Sequence, residues 1–163
     1  PPRPRSVPTF FGSGMPGQAD TRYLHAVKNG SVNLDDALAS FAETWSPRIV
    51  ARMNDYDVRI AHARGDHVWH VHEDTDEFFL VLDGRLNIAM RGDDGAEHTV
   101  ELHSGDLYVV PRGVTHRPSS PGASILLFEP TGTSSTGDSH EGDLPPHVES
   151  TVGHPLEADT DRP

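Results

Sequence analysis

Apolar positions along the chain follow two different rhythms. Leu34, Leu38, Phe41 and Trp45 recur at i, i+4, i+7 and i+11, which lays one stripe along a helix over residues 33–46. Asn33 suits its N-cap, Asp35 and Asp36 fall in the first turn where the helix dipole favours them, and Pro47 ends it. From Ile49 to Phe128 the rhythm shortens. Val58 and Ile60 alternate with Asp57 and Arg59, and Val68, His70 and His72 share one face of the next strand. Phe78 to Leu82 is a nearly continuous apolar run, as in a strand buried on both faces, and Leu86, Ile88 and Met90 alternate again. Val100 with Leu102, Leu107 to Val110 and Ile125 to Phe128 supply further strands. Asp83-Gly84 predicts a hairpin turn and Gly92-Asp93-Asp94-Gly95 another turn. Short strands punctuated by Gly, Pro and Asp predict an all-β sandwich or barrel with one helix packed on its outside.

The two ends lack this patterning. Residues 1–30 read as an extended segment, because four prolines in the first eight residues exclude regular structure. Residues 1–14 resemble a leader, linker or cloning remnant ahead of Met15. Residues 131–163 are rich in Pro, Gly, Ser, Thr and acids and read as an acidic tail, largely disordered or extended over the surface. That leaves residues 31–130 as the folded domain, enough to bury a core of its own. The net charge is −12, of which −7 comes from residue 129 onward, where eight acids face Arg162 alone. Such acidity repels phosphate backbones and anionic bilayers, so neither nucleic acid nor a membrane is an expected partner. No apolar run reaches the roughly 18 residues of a membrane span, and a cytoplasmic location is expected. The chain has no cysteine, which removes disulfides, thiolate-bound zinc, iron–sulfur clusters and thiol nucleophiles. No G-x-S-x-G, phosphate-binding loop or dinucleotide fingerprint occurs. Asn29-Gly30-Ser31 matches a glycosylation acceptor that a cytoplasmic chain would not use, and the seven-residue spacing of His140, His147 and His154 reads as coincidence.

Four other residues point to chemistry. On a strand, His70 and His72 project to the same side roughly 6.5–7 Å apart, so two imidazoles can converge on one ion. A lone H-x-H carries little weight in a chain with eleven histidines. Glu77 follows at the head of the apolar run Phe78–Leu82, where a carboxylate is costly unless paired or bound to metal; the alternative is an exposed acid at a strand end. His116 follows the turn Pro111-Arg112-Gly113, which can aim it back toward the pair, or leave it as an ordinary surface histidine.

Taken together these residues resemble a known pattern. Gly65-x4-His70-x-His72-x4-Glu77-x6-Gly84 is similar to the first motif of the cupin superfamily, and Gly105-x5-Pro111-x-Gly113-x2-His116 to the second, with 20 residues between them. Four residues rather than the usual five separate Gly65 from His70, and Ser120 stands where the family often has Asn. Neither departure touches a metal ligand of the family. The resemblance covers about Asp57 to Phe128. It implies a double-stranded β-helix (jelly-roll) barrel, commonly a homodimer, with one metal ion held by His70, His72, Glu77 and His116 inside one end. Glu129-Pro130-Thr131-Gly132-Thr133 also resembles a segment that follows the last strand in many small bacterial cupins.

Three imidazoles and one carboxylate suit Fe, Mn, Ni, Cu or Zn rather than Ca or Mg. Four protein ligands on an octahedral ion leave two positions for exogenous groups. This serves a redox metal binding substrate with O₂, or a non-redox metal polarising a carbonyl or activating water. By alternation Phe79 and Val81 share the side of Glu77 and line the pocket, which favours a small, partly apolar substrate. Tyr56, Arg59, His62 and Tyr108 are candidate polar groups of that pocket. The expected function is a metal-dependent enzyme acting on a small organic molecule, with oxygenase chemistry ahead of an isomerase, lyase or cyclase. A metal-containing binding module is the third alternative.

Overall fold

A computed structural model describes residues 31–92 and 94–156, so the expectations for residues 1–30 and 157–163 lie outside the described residues. A short helix, α1 (Leu34–Ala39), precedes nine strands: β1 (Arg48–Met53), β2 (Tyr56–Asp66), β3 (His70–Val71), β4 (Glu77–Arg91), β5 (Glu97–His103), β6 (Leu107–Val110), β7 (His116–Pro130), β8 (Ser139–His140) and β9 (His154–Pro155). They form one sheet in the order β5-β4-β7-β2-β1-β9. To this β6 adds beside β4, β3 beside β7, and β8 beside β3. The sheet is not closed by hydrogen bonds, but it wraps around a single interior cluster that includes Ala61, Phe79, Val81, Leu86, Ile88, Leu102, Val110, Ile125 and Leu127.

The architecture follows from how β4 and β7 turn their side chains. In β4 the inward residues are Glu77, Phe79 and Val81, then Leu86, Ile88 and Met90; in β7 they are His116, Pro118 and Ser120, then Ile125, Leu127 and Glu129. A two-residue period cannot pass from odd to even positions without an irregularity. The β4–β7 register shifts between Val81 and Asp83 and again between Arg85 and Asn87. Gly84 sits between the shifts with φ +82°, and a Cβ there would lie 2.2 Å from the Gly122 carbonyl oxygen. Two backbones touch at this point, and only a residue without a side chain at position 84 permits it. Asp83-Gly84 is therefore a bend within one fifteen-residue strand, not the expected hairpin turn. Before the bend β4 pairs with β6, and after it with β5. The ribbon is thus shared between the two faces of the barrel.

Two further expectations are corrected. The helix stops at Ala39 rather than continuing to 46, because the Ser40 backbone N–H and Oγ both donate to the Ala37 carbonyl. Leu34, Leu38 and Phe41 still cover the outer face of the sheet, packing on Val58, Ile60 and Leu126. Trp45, at φ 52°, instead turns into the barrel interior and donates its Nε1–H to the Arg64 carbonyl at 2.8 Å. Nor are residues 131–156 disordered. They run back across the barrel, with Val148 and Leu144 on the interior cluster, β8 paired with β3 and β9 with β1. Gly137 lies flat on the Val71 backbone, where a Cβ would meet the carbonyl oxygen at 2.3 Å. The Asp138 carboxylate accepts from the Glu73 backbone N–H at 2.8 Å. Apart from Val148 and Leu144, backbone and polar contacts hold this strap, which is why its composition reads as disorder.

Gly84→Ala should destabilise the protein by roughly 3 kcal/mol or more, since the new methyl group meets backbone and the left-handed φ is strained as well. Urea unfolding measures it; a loss below about 1 kcal/mol would show that the bend tolerates a side chain.

Candidate metal centre

The doubled ribbon brings together residues distant in sequence. His70 in β3 pairs directly with His116 at the start of β7. Glu77 opens β4 on the opposite layer, opposite Val110 of β6. The turn ahead of His116 is tied to the first motif, because Gly113 donates its backbone N–H to the His72 carbonyl at 2.7 Å. As a result one nitrogen each from His70, His72 and His116 and one oxygen from Glu77 all lie within 4.8 Å of one another, and all four residues are buried.

The hydrogen bonds around this cluster assign its protons. His70 Nδ1 lies 3.0 Å from the Val68 carbonyl and His116 Nδ1 2.9 Å from that of Val114. A carbonyl only accepts, so both Nδ1 atoms carry hydrogen and Nε2 of each ring is turned toward the cluster, as in a metal-binding imidazole. His116 Nε2 lies 2.6 Å from Glu77 Oε2, with His72 Nε2 at 3.2 Å and His70 Nε2 at 3.6 Å from the same oxygen. Three nitrogens and a carboxylate packed this closely are held by a shared proton, as in the His116–Glu77 hydrogen bond, or by a cation among them. Among the described residues, His70 Nε2 and His72 Nε2 are buried with no hydrogen-bond partner of good geometry. Burial by itself would raise the Glu77 carboxyl, but the His116 charge and the three imidazole contacts together hold it well below the usual range. Burial pushes His70 down, whereas the contact with Glu77 overcomes burial and pushes His72 up. The arrangement fits one divalent ion, as the chemistry of the donor set demands.

Beside the cluster lies a small cavity, with about 30 Å³ open to the centre of a water molecule. His70 and Glu77 form one wall; Trp45, Ala61, Phe79, Ile125 and Leu127 supply apolar surface, and His67, Glu129 and Ser135 the remaining polar groups. Of the expected pocket residues only Phe79 lines this cavity. Val81 is buried in the core beyond it. Tyr108 is half-buried against the core, and Tyr56 stacks on Phe128 at 4.9 Å on the outer face. His62 points outward too, with Nε2 donating to the carbonyls of Leu38 and Phe41 and so fastening the end of α1. Arg59 does turn inward but stops short of the cavity. It is fully buried and binds Glu129 Oε2 at 2.6 Å, the Thr133 carbonyl at 2.9 Å and Asp57 Oδ2 at 3.3 Å. The sequence reading missed Trp45, His67 and Glu129. Glu129 carried a signal, since it continues the inward series Ile125, Leu127 as a polar residue in phase with an apolar face. The tail histidines do not converge. His147 binds the Asp66 carbonyl, His154 binds Glu149, and His140 is exposed on β8.

Comparison with known proteins agrees with this geometry. Residues 57–128 match the cupin domain family. A cupin-2 domain protein of known structure from Shewanella frigidimarina is 40% identical, covers 61% of this chain and 93% of its own, and superposes with a TM-score of 0.57. The uncharacterized protein YdbB of Bacillus subtilis is 37% identical over 71 residues, a match spanning 44% of this chain and 59% of that relative. The hydroquinone 1,2-dioxygenase PnpCD, in complex with Cd²⁺ and 4-hydroxybenzonitrile, shares the fold with a TM-score of 0.52 at 19% identity, over 78% of this chain and 90% of that one. The chain belongs to the cupin family, and its buried three-histidine, one-glutamate cluster fits a metal site.

Two outcomes follow. Zinc at a hundredfold excess over its dissociation constant should raise the unfolding free energy by about 2.7 kcal/mol, and His70→Ala or His116→Ala should abolish the gain; an equal gain in both variants would place the ion elsewhere. The second concerns His67, which burial and then the neighbouring His70 push down to about 3. An unfolded imidazole takes its proton near 6.5, so below that pH the unfolded chain binds a proton the folded one refuses, and stability falls with pH. Between pH 7 and 4, metal-free protein should lose on the order of 3 kcal/mol relative to His67→Phe; parallel urea-unfolding profiles for the two would show that His67 charges within the fold.

Proposed function

We propose that this chain is a metal-dependent enzyme acting on a small organic molecule. In this reading His70, His72, Glu77 and His116 hold one divalent transition metal (Fe, Mn, Ni, Cu or Zn), and oxygenase chemistry is favoured. The observation that carries the reading is the position of the cluster. It is not sealed in the core but forms one wall of a cavity whose other walls are mostly apolar. A structural ion gains nothing from such a space, whereas a reacting one needs it for substrate.

A bound redox metal would supply electrons to dioxygen and a non-redox one would act as a Lewis acid. The protein's own residues do the rest. The carbonyls of Val68 and Val114 hold His70 and His116 in the Nδ1–H tautomer and fix their rings. Glu77 offsets one unit of cationic charge in a buried setting. Trp45 and Phe79 give the cavity hydrophobic walls, and Ser135 brings the strap against it, which limits water at the site. The same residues serve an isomerase, lyase or cyclase, and turnover under strict anaerobiosis with zinc or manganese is the mark of that alternative. Family resemblance extends the proposal to a homodimer, for which sedimentation velocity is the direct measurement. Among the described residues no helix is long and apolar enough to cross a membrane.

Elemental analysis of protein never exposed to a metal-affinity tag should find about one equivalent of transition metal, lost in His70→Ala/His116→Ala. Iron- or manganese-loaded protein should then consume oxygen with small phenolic or dicarbonyl compounds. One metal per chain with no turnover of any such compound, aerobic or anaerobic, would leave a binding module.

A further inference from the structure

Two polar side chains in the cavity wall have hydrogen-bonding capacity left over within the fold. Glu129 is 2% exposed, and its Oε2 is bound by Arg59 at 2.6 Å, but Oε1 has no hydrogen-bond partner among the described residues. His67 is 5% exposed, and its Nδ1 is buried with no partner among the described residues. Both line the same cavity as the apolar side chains of Trp45, Phe79, Ile125 and Leu127. Leaving a buried group such as His67 Nδ1 unpaired carries a free-energy cost. Folding alone does not require it, because an apolar residue at either position would remove the cost.

Nor does Arg59 account for Glu129. The guanidinium already binds Asp57 and the Thr133 carbonyl, and Asp57 in turn binds Arg52 at 2.9 Å and the Thr131 hydroxyl at 3.0 Å. Asp57 and Glu129 face each other across the β2–β7 ladder. Two carboxylates therefore share one fully buried guanidinium, and Glu129, the one on the cavity side, is left half satisfied. The Arg59 grip fixes the Glu129 carboxyl in place while its second oxygen remains available.

We propose that Glu129 and His67 are the recognition pair of the substrate pocket, hydrogen-bonding a hydroxyl group of the substrate while its carbon skeleton packs on Trp45, Phe79, Ile125 and Leu127. The substrate class is then a small hydroxyl-bearing compound with an apolar body. This rests on the reading of the cavity as a substrate site and adds the feature that selects the substrate. Neither residue is among the proposed metal ligands, and the role needs only a hydrogen-bonding group at each position.

The test compares phenol with toluene, which differ by a hydroxyl in place of a methyl group, on zinc-loaded full-length protein where no redox turnover occurs. Zinc stoichiometry is measured first, so loss of the metal site is seen separately from loss of hydroxyl recognition. Dissociation constants from ligand-detected NMR should show phenol bound about tenfold more tightly than toluene, the worth of one good hydrogen bond. In Arg59→Met/Glu129→Leu, which removes the ion pair together, and in His67→Phe, the phenol-to-toluene preference should fall at least threefold while toluene binds as well or better. Either variant decides alone, so a folding failure in one leaves the other. Phenol binding no better than toluene to wild type, or a preference unchanged in a folded variant, overturns the proposal; the latter result would put the hydroxyl on the metal instead.

Discussion

The contact between Gly84 and the Gly122 backbone is the constraint on which the site depends. Around it β4 and β7 both change the parity of their inward residues, and both contribute to the two faces of the barrel. Without that change the inward series Glu77, Phe79, Val81 could not be followed by Leu86, Ile88, Met90. One half of each strand would turn its apolar residues to solvent. The same geometry sets Glu77 at one end of the ribbon against His116, 39 residues away, at a separation of 2.6 Å. The wrapping of the sheet around its core and the assembly of the cluster both depend on this backbone approach.

Electrostatics in the interior are organised as two neighbouring groups. One is the histidine–glutamate cluster, whose tautomers are set by backbone carbonyls and whose close nitrogen and oxygen atoms suit a cation. The other is Asp57, Arg59 and Glu129, in which a single guanidinium serves two carboxylates. Phe78 and Phe128 are paired across β4 and β7, so Glu77 and Glu129 occupy neighbouring positions on the inward face of those strands. Burial and then the Glu77 charge raise the Glu129 carboxyl to about 8. A buried charge without a well-placed counter-charge is among the most expensive features a fold can carry. Here the two groups are separated by function, one suited to a metal and the other standing at the edge of the cavity.

The cluster was legible in the sequence because its four residues lie beside turns whose Gly and Pro spacing is local and characteristic. The all-β class was legible from the period of two. Burial faces were harder. Val58 and Ile60 look like the core side of β2, yet they lie under α1 while Asp57 and Arg59 turn inward, because this strand is covered on both faces. Trp45 fits a helical stripe by arithmetic, but the chain has left the helix five residues earlier, and nothing in periodicity reports a left-handed residue. Glu129 was counted with the tail acids because composition was read from that point on. Its phase with Ile125 and Leu127 assigns it to the strand. The strap escaped notice since most of its anchors are backbone groups, a glycine and polar side chains, and its apolar anchors Val148 and Leu144 follow no strand or helix period.

The doubled ribbon also bears on how the protein folds. Asp57 must find Glu129, and His70 must find His116, before any part of the cluster exists; the strap adds His147 to Asp66 across 81 positions. Contacts of such sequence separation form late and slowly, because the chain must surrender loop entropy before it gains them. No hairpin or single layer of this barrel contains more than part of the donor set. An ion of this kind therefore recognises the completed topology, and its capture marks the end of folding rather than seeding it.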